Sequence, residues 1–202
     1  MDAKAHPILA ILTDSRRFIV PIYQRQYTWD HRLLKQFWED VVHKADEAMT
    51  GKPKFQHYMG ALILAPGVDG YTVGTTPQVQ VVDGQQRLTT FQLFLRALEN
   101  VAETIGEGAL AASLKIYVFN TPMPGEPDEA RFKLVPTPND RFIFKELLTT
   151  DWNDFKKQHH QYFYKKGTLI WGSAPKAVRA FEQFRLWIDD YVRFGYYGDE
   201  TA

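Results

Sequence analysis

The densest chemistry in this sequence lies in one short run, Asp83-Gly84-Gln85-Gln86-Arg87-Leu88-Thr89-Thr90, entered from Val81-Val82. The two valines read as the end of a strand, Asp-Gly as a turn, and Gln85 as the opening of a helix. The first backbone N–H groups of a helix have no partner inside it, and they carry the positive end of the helix dipole. Such a junction is therefore a natural seat for phosphate. Gly84 lets a ligand approach the backbone closely. Arg87, in the first turn, can clamp a phosphate with two hydrogen bonds. Gln85 and Gln86 can hydrogen-bond a ligand or orient water, and Asp83 can hold Mg²⁺ or accept a proton. The plain alternative is a turn whose aspartate merely caps the helix, which is common for Asp-Gly. The run is not a P-loop, because Gly-x-x-x-x-Gly-Lys-Ser/Thr does not occur in the chain.

A second constellation precedes it: Val20-Pro21-Ile22-Tyr23-Gln24-Arg25-Gln26-Tyr27-Thr28-Trp29. Here Gln24 and Arg25 sit between aromatics in a proline-stiffened loop. Arg25 can neutralise phosphate, and Tyr23, Tyr27 and Trp29 can stack on a base or anchor the loop in the core. A core anchor is the more ordinary role for Tyr27 and Trp29; a core has no use for Gln24 and Arg25.

Other chemistries are narrowed by composition. The chain has no cysteine, which removes disulfides, thiolate metal sites and cysteine nucleophiles together. Its six histidines have no metal-ligand spacing, and the adjacent pair His159-His160 diverges. Twenty-four basic residues balance 24 acidic ones, so net charge gives no general pull toward nucleic acid. A 45% hydrophobic fraction supports a packed core. No apolar h-region follows the N-terminus, and no apolar run approaches the roughly 20 residues of a membrane helix. A soluble, cytoplasmic protein without a membrane partner is expected.

The elements that must position these residues can be read from periodicity. A short helix is expected over His6–Leu12 and a strand over Arg17–Val20, with a loop to Trp29. A helix capped by Asp30 should run from His31 to Met49, with Leu34, Phe37, Trp38, Val41, Val42 and Ala45 on one face. Strands are expected over Tyr58–Leu64 and Gln78–Val82, separated by a turn-rich stretch at Pro66–Gly70. A long helix over Gln85–Ile105 should bury the stripe Leu88, Phe91, Leu95, Leu98, Ala102 and Ile105. Ala109–Phe119 reads as a helix running into a strand, Arg131–Val135 as a strand and Asp140–Leu148 as a short helix. Trp152–Thr168 has no convincing period and reads equally as an insertion or a helix. A last helix starts near Ser173, with proline in its first turn, and ends near Phe194. The pattern predicts an α+β chain: a domain over residues 1–150 and a helical extension over 151–202.

The two chemical segments, in this order and about 60 residues apart, resemble the N-terminal domain of GmrS/GmrSD proteins, domain-of-unknown-function family 262, from type IV and related phage-defence restriction systems. The family carries an Ile-Pro-x-Tyr-Gln-Arg-x-Tyr-x-Trp-like segment, here with Val20 for the isoleucine, and later Asp-Gly-Gln-Gln-Arg-Leu-Thr-Thr, here complete from Asp83 to Thr90. His57–Leu64 is similar to its aromatic–x–Gly strand. Phe132–Asp140 with Phe144 and Leu147-Leu148 is similar to a further family segment. The resemblance covers residues 6–150 well and the remainder loosely.

It implies a ParB/sulfiredoxin-like fold, a small mixed sheet surrounded by helices, with the Asp83–Arg87 turn as its phosphate-binding corner. It implies nucleoside triphosphate and Mg²⁺ as ligands, with Asp83, Gln86 and Arg87 catalytic and Asp83 on the metal. Tyr23, Gln24, Arg25, Gly84, Gln85, Arg87 and Thr90 would contact the nucleotide. The implied partners are DNA, commonly modified phage DNA, and a nuclease domain of the His-Asn-His type; a homo-oligomer is compatible with them. No His-Asn-His pattern occurs in the chain, so a short member or a fragment is expected. Sulfiredoxin chemistry needs a cysteine and is excluded.

Three readings follow. The leading one is an NTP-hydrolysing sensor and regulator of a DNA-restriction system. The second is a non-enzymatic DNA-binding module that uses the same corner for a DNA phosphate. The third is a direct nuclease or phosphotransferase on this fold; two-metal chemistry needs more than one carboxylate, and Asp140 would have to join Asp83.

Overall fold

The computed structural model describes residues 4–51, 56–67 and 74–195. In chain order its elements are α1 (Ile8–Thr13), β1 (Arg17–Ile19), α2 (His31–Met49), β2 (Ile63–Pro66), β3 (Gln78–Asp83), α3 (Gln85–Thr104), α4 (Gly108–Val118), β4 (Leu134–Val135), α5 (Pro138–Thr149), α6 (Trp152–Gln158) and α7 (Lys176–Phe194). Single 3₁₀ turns lie at Asp128–Arg131 and His160–Tyr162. The strands form one mixed sheet in the order β2-β3-β1-β4. β1 runs parallel to both β3 and β4, and β2 runs antiparallel to β3. The architecture is α+β, a small mixed sheet surrounded by helices, as the sequence predicts.

α3 is the central element. Sixteen of its 20 residues are buried, so it is enclosed rather than amphipathic. It packs against α7, α4, α5 and β4. The predicted stripe is therefore too narrow. Leu93, Phe94, Ala97 and Val101 are buried as well, while Ile105 at the end is 40% exposed. Among the polar residues trapped on α3, Gln92 Nε2 donates to the Tyr117 carbonyl at 2.8 Å, and Arg96 pairs with Glu99 at 3.1 Å.

α2 spans the residues expected of it. The Asp30 side chain accepts from the Leu33 N–H at 3.1 Å and fixes its start. Its buried face carries Leu34, Phe37, Trp38 and Val42. The Phe37 ring meets Phe91, Phe94 and Phe184 at centroid distances of 6.2, 5.5 and 5.5 Å. Burying each such ring contributes about 1.5–3 kcal/mol, and the cluster ties α2, α3 and α7 together. One hydrophobic core runs from Leu12 through α3 to Ile188 on α7, so residues 151–194 pack on the same core as the residues before them.

Several segments depart from the expectation. The predicted strand at Tyr58–Leu64 pairs only from Ile63 onward. Gly60, at φ 97°, breaks the extended run. Of the turn expected at Pro66–Gly70, residues 68–70 lie outside the described residues. Ala109–Phe119 does not become a strand; Phe119 makes one isolated bridge to Phe132. The aperiodic stretch from Trp152 contains α6, whose Trp152 and Phe155 are buried and stacked at 5.2 Å. Among the described residues no helix is long and apolar enough to cross a membrane.

Candidate functional site

The strand–turn–helix predicted at Asp83 is formed by β3 and α3. Gly84 joins them at φ 92°, in the left-handed region where a side chain is strained. A Cβ there would also lie 2.9 Å from Leu62 Cδ1 and 3.0 Å from the Ala61 carbonyl oxygen. The glycine thus lets the Ala61–Leu62 segment close against the start of α3. That start has no side-chain cap, and the first intrahelical bond is from the Leu88 N–H to the Gly84 carbonyl. Among the described residues, the N–H groups of Gln85, Gln86 and Arg87 have no backbone or side-chain acceptor. They supply the donors and the positive dipole end that an anion needs.

The side chains of Asp83 and Arg87 flank this terminus and face solvent, 64% and 38% exposed. They stand 3.6 Å apart. The Arg87 guanidinium also donates to the Ala61 carbonyl and lies against Gly60, where a Cβ would meet its Nε at 3.0 Å. Arg87 is thereby aimed rather than free to wander. Behind it a recess of about 40 Å³ opens between Met59–Leu62 and α3, room for little more than one water. That recess is too small for a nucleoside.

The loop from Val20 to Trp29 is laid across the end of β3 and the beginning of α3 by side-chain hydrogen bonds. Gln24 Nε2 donates to the Val82 carbonyl at 3.0 Å, next to Asp83. Gln85 Nε2 donates to the Arg25 carbonyl at 3.1 Å. Gln86 takes two adjacent backbone groups, giving Nε2–H to the Gln26 carbonyl at 2.9 Å and accepting the Thr28 N–H on Oε1 at 2.8 Å. Tyr27 turns inward to Thr90, with 2.8 Å between their hydroxyl oxygens. Thr90 donates its single proton to the Gln86 carbonyl at 2.9 Å, so Tyr27 is the donor of that pair. Burial, with Asp140 nearby, raises the Tyr27 pKa and keeps the phenol protonated. The Asp140 carboxylate accepts the Tyr27 N–H at 2.8 Å and the Thr137 hydroxyl at 3.0 Å.

The site residues expected from sequence therefore fall into two sets. Asp83 and Arg87 present side chains to solvent at the corner, Tyr23 and Arg25 are exposed on the loop, and Gln24 ties that loop to the strand. Gln85, Gln86 and Thr90 are buried beneath the loop and hold it. Gly84 is buried and makes the turn. Asp140 comes to the loop, where it holds Tyr27. Sequence reasoning missed the Ala61 carbonyl and Gly60 as the supports of Arg87. The only signal was a glycine inside an apolar run, which often marks a close approach of another group.

The model of the GmrSD restriction endonuclease N-terminal domain matches residues 8–197, nearly the whole chain. The chain belongs to that family. Membership in the GmrSD N-terminal domain family places the chain in a restriction system, which acts on DNA. It also covers α6 and α7 beyond the better-resembling first 150 residues, in keeping with their place in the common core. No curated protein matches the chain.

Proposed function

We propose that this GmrSD N-terminal domain binds and hydrolyses a nucleoside triphosphate at the Asp83–Arg87 corner, and that the bound state regulates DNA restriction by a nuclease partner of the His-Asn-His type. The observation that carries this reading is the uncapped start of α3 beside a solvent-facing Arg87. The N–H groups of Gln85, Gln86 and Arg87 receive phosphate oxygens, and the Arg87 guanidinium takes the charge that grows on the transferring group. Arg25 adds a second positive charge from the loop, and Tyr23 offers a face to the base. Gln86 acts as a positioning residue, because its amide is committed to Gln26 and Thr28.

Among the described residues no three His, Asp or Glu side chains gather to form a metal cage. A lone exposed carboxylate suits Mg²⁺, which keeps several waters and takes one or two carboxylates together with substrate phosphates. Asp83 would hold it, and the ion when bound neutralises charge on the phosphate oxygens. Two-metal nuclease chemistry wants several carboxylates, and among the described residues no such cluster gathers.

The tip of the loop supports a DNA contact as part of this function. Ile22 and Tyr23 are 80% and 74% exposed beside Arg25, an apolar and basic projection suited to a modified DNA surface. Phosphate release with each of the four ribonucleoside triphosphates, with and without modified DNA, tests the reading. Wild type releases phosphate, and a folded Arg87→Ala variant does not. Equal turnover by that variant would remove Arg87 from the site. Salt-sensitive DNA binding with no turnover of any triphosphate would favour a purely DNA-binding module.

A further inference from the structure

A cavity of about 360 Å³ lies away from the corner, between the N-terminal ends of α2 and α7. Its walls combine two indoles, Trp29 and Trp171, with Leu34, two cations, Lys176 and Arg179, and the amide of Gln183. A concave, mainly apolar site with a few converging polar groups is the usual form of a small-ligand pocket. The composition here says more about the ligand. Flat indoles stack on flat rings, and adjacent cations select a negative charge.

Each wall is fixed by the fold. Trp29 follows the loop held by Gln86 and packs edge-on to Phe37 at 6.4 Å. Trp171 sits on the turn before α7 and is 41% exposed. Arg179 secures that turn, with Nε donating to the Ala174 carbonyl at 2.7 Å and a terminal nitrogen donating to the Gly172 carbonyl at 3.0 Å. A guanidinium has five N–H donors, so three remain for a ligand. Asp30 also borders the cleft, but its carboxylate is bound to the Leu33 N–H and lies within Coulombic reach of Lys176. Nothing in the corner's proposed chemistry uses Trp171, Lys176, Arg179 or Gln183.

We infer that this cleft binds one nucleotide, with its base against Trp29 and Trp171 and its phosphate toward Lys176 and Arg179. The Gln183 amide, with both donor and acceptor, is placed to read a base edge. The nucleotide is either free or a single extruded residue of a DNA strand; the same stacking and charge recognise both. The inference stands apart from the corner, whose triphosphate site does not depend on it.

The test is a titration of the ¹⁵N-labelled chain, following the indole N–H signals of its five tryptophans. The probes are deoxyadenosine monophosphate and a single-stranded oligodeoxyadenylate. The signals of Trp29 and Trp171 shift on addition, and those of Trp38 and Trp152 stay in place. Trp171→Ala and Lys176→Glu each weaken binding at least about fivefold. Tighter binding of the strand identifies DNA as the source, and equal or tighter binding of the mononucleotide identifies a free nucleotide. Three results overturn the inference: no shift with either probe, unchanged affinity in both cleft variants, or loss of the Trp171 shift in Arg87→Ala, which would assign the binding to the corner.

Discussion

Gln86 closes on Thr28: its buried side-chain oxygen accepts the Thr28 N–H at 2.8 Å, while its nitrogen donates to the Gln26 carbonyl at 2.9 Å. One side chain thus replaces the two backbone partners that a neighbouring strand would supply. The aromatic loop, from Tyr23 over the corner to Trp29 at the cleft, is held in place without regular secondary structure of its own.

Replacing Gln86 with leucine keeps the volume and removes both bonds. The Thr28 N–H and the Gln26 carbonyl then lose their partners, at about 1–3 kcal/mol. The expected outcome is a lower urea midpoint and faster hydrogen exchange at Thr28, with triphosphate turnover falling although Arg87 is intact. Unchanged protection of the Thr28 amide would show that the loop is held by other means.

Tyr27→Phe removes one hydroxyl from a buried pair and leaves the Thr90 bond to the Gln86 carbonyl in place. A loss of about 0.5–1.5 kcal/mol is expected by chemical denaturation. A loss several times larger would mean that the phenol carries more of the loop than one hydrogen bond.

Gly84→Ala combines a positive φ with a Cβ at 2.9 Å from Leu62 and 3.0 Å from the Ala61 carbonyl. It should cost about 1–3 kcal/mol and displace the carbonyl that holds Arg87. A lower melting temperature together with weaker triphosphate binding is the predicted pair. A variant as stable as wild type would contradict the close approach at the turn.

The Lys133 amine is buried, with Nζ donating to the Asp14 carbonyl at 2.9 Å and to Asn120 Oδ1 at 2.8 Å. Loss of solvation, only partly offset by Asp14, brings its pKa down to about 8 from 10.5. Between those values the unfolded chain holds the proton and the folded chain has released it, so stability rises with pH. Below about pH 8 both states are protonated and the contribution is flat. Tyr191, held up to about 12 by burial and its bond to Asp46, acts with the opposite sign only above about pH 10. Denaturant midpoints should therefore climb from pH 8 to 9.5, and Lys133→Met should flatten the climb. An equal slope in that variant would place the titrating group elsewhere.

Much of this was legible in residues 17–49 and 78–104, where caps and periodicity agree. Asp30 marked the start of α2, and Asp83-Gly84 marked the start of α3. Periodicity failed where tertiary packing decides. The Tyr58–Leu62 run is apolar, yet it lies against Arg87 and the turn at Gly84 instead of pairing as a strand. On α3, spacing showed which residues share a face but not that a loop covers the face of Gln86 and Thr90. That cover separates the residues that can meet a ligand from those that hold the loop. The Trp29–Trp171 cleft joins segments over 140 residues apart, and no local pattern announces it.

The triphosphate site proposed at the start of α3 depends on Arg87. Calorimetric titration of the chain with a non-hydrolysable triphosphate and Mg²⁺, beside folded Arg87→Ala, measures that dependence. Wild type should bind triphosphate at the corner, and the variant should bind it there at least about tenfold more weakly, the scale of a lost charged hydrogen-bond pair; any uptake by the Trp29–Trp171 cleft is common to both proteins. Equal affinity in the two proteins, or no binding to wild type, would remove the triphosphate site from the start of α3.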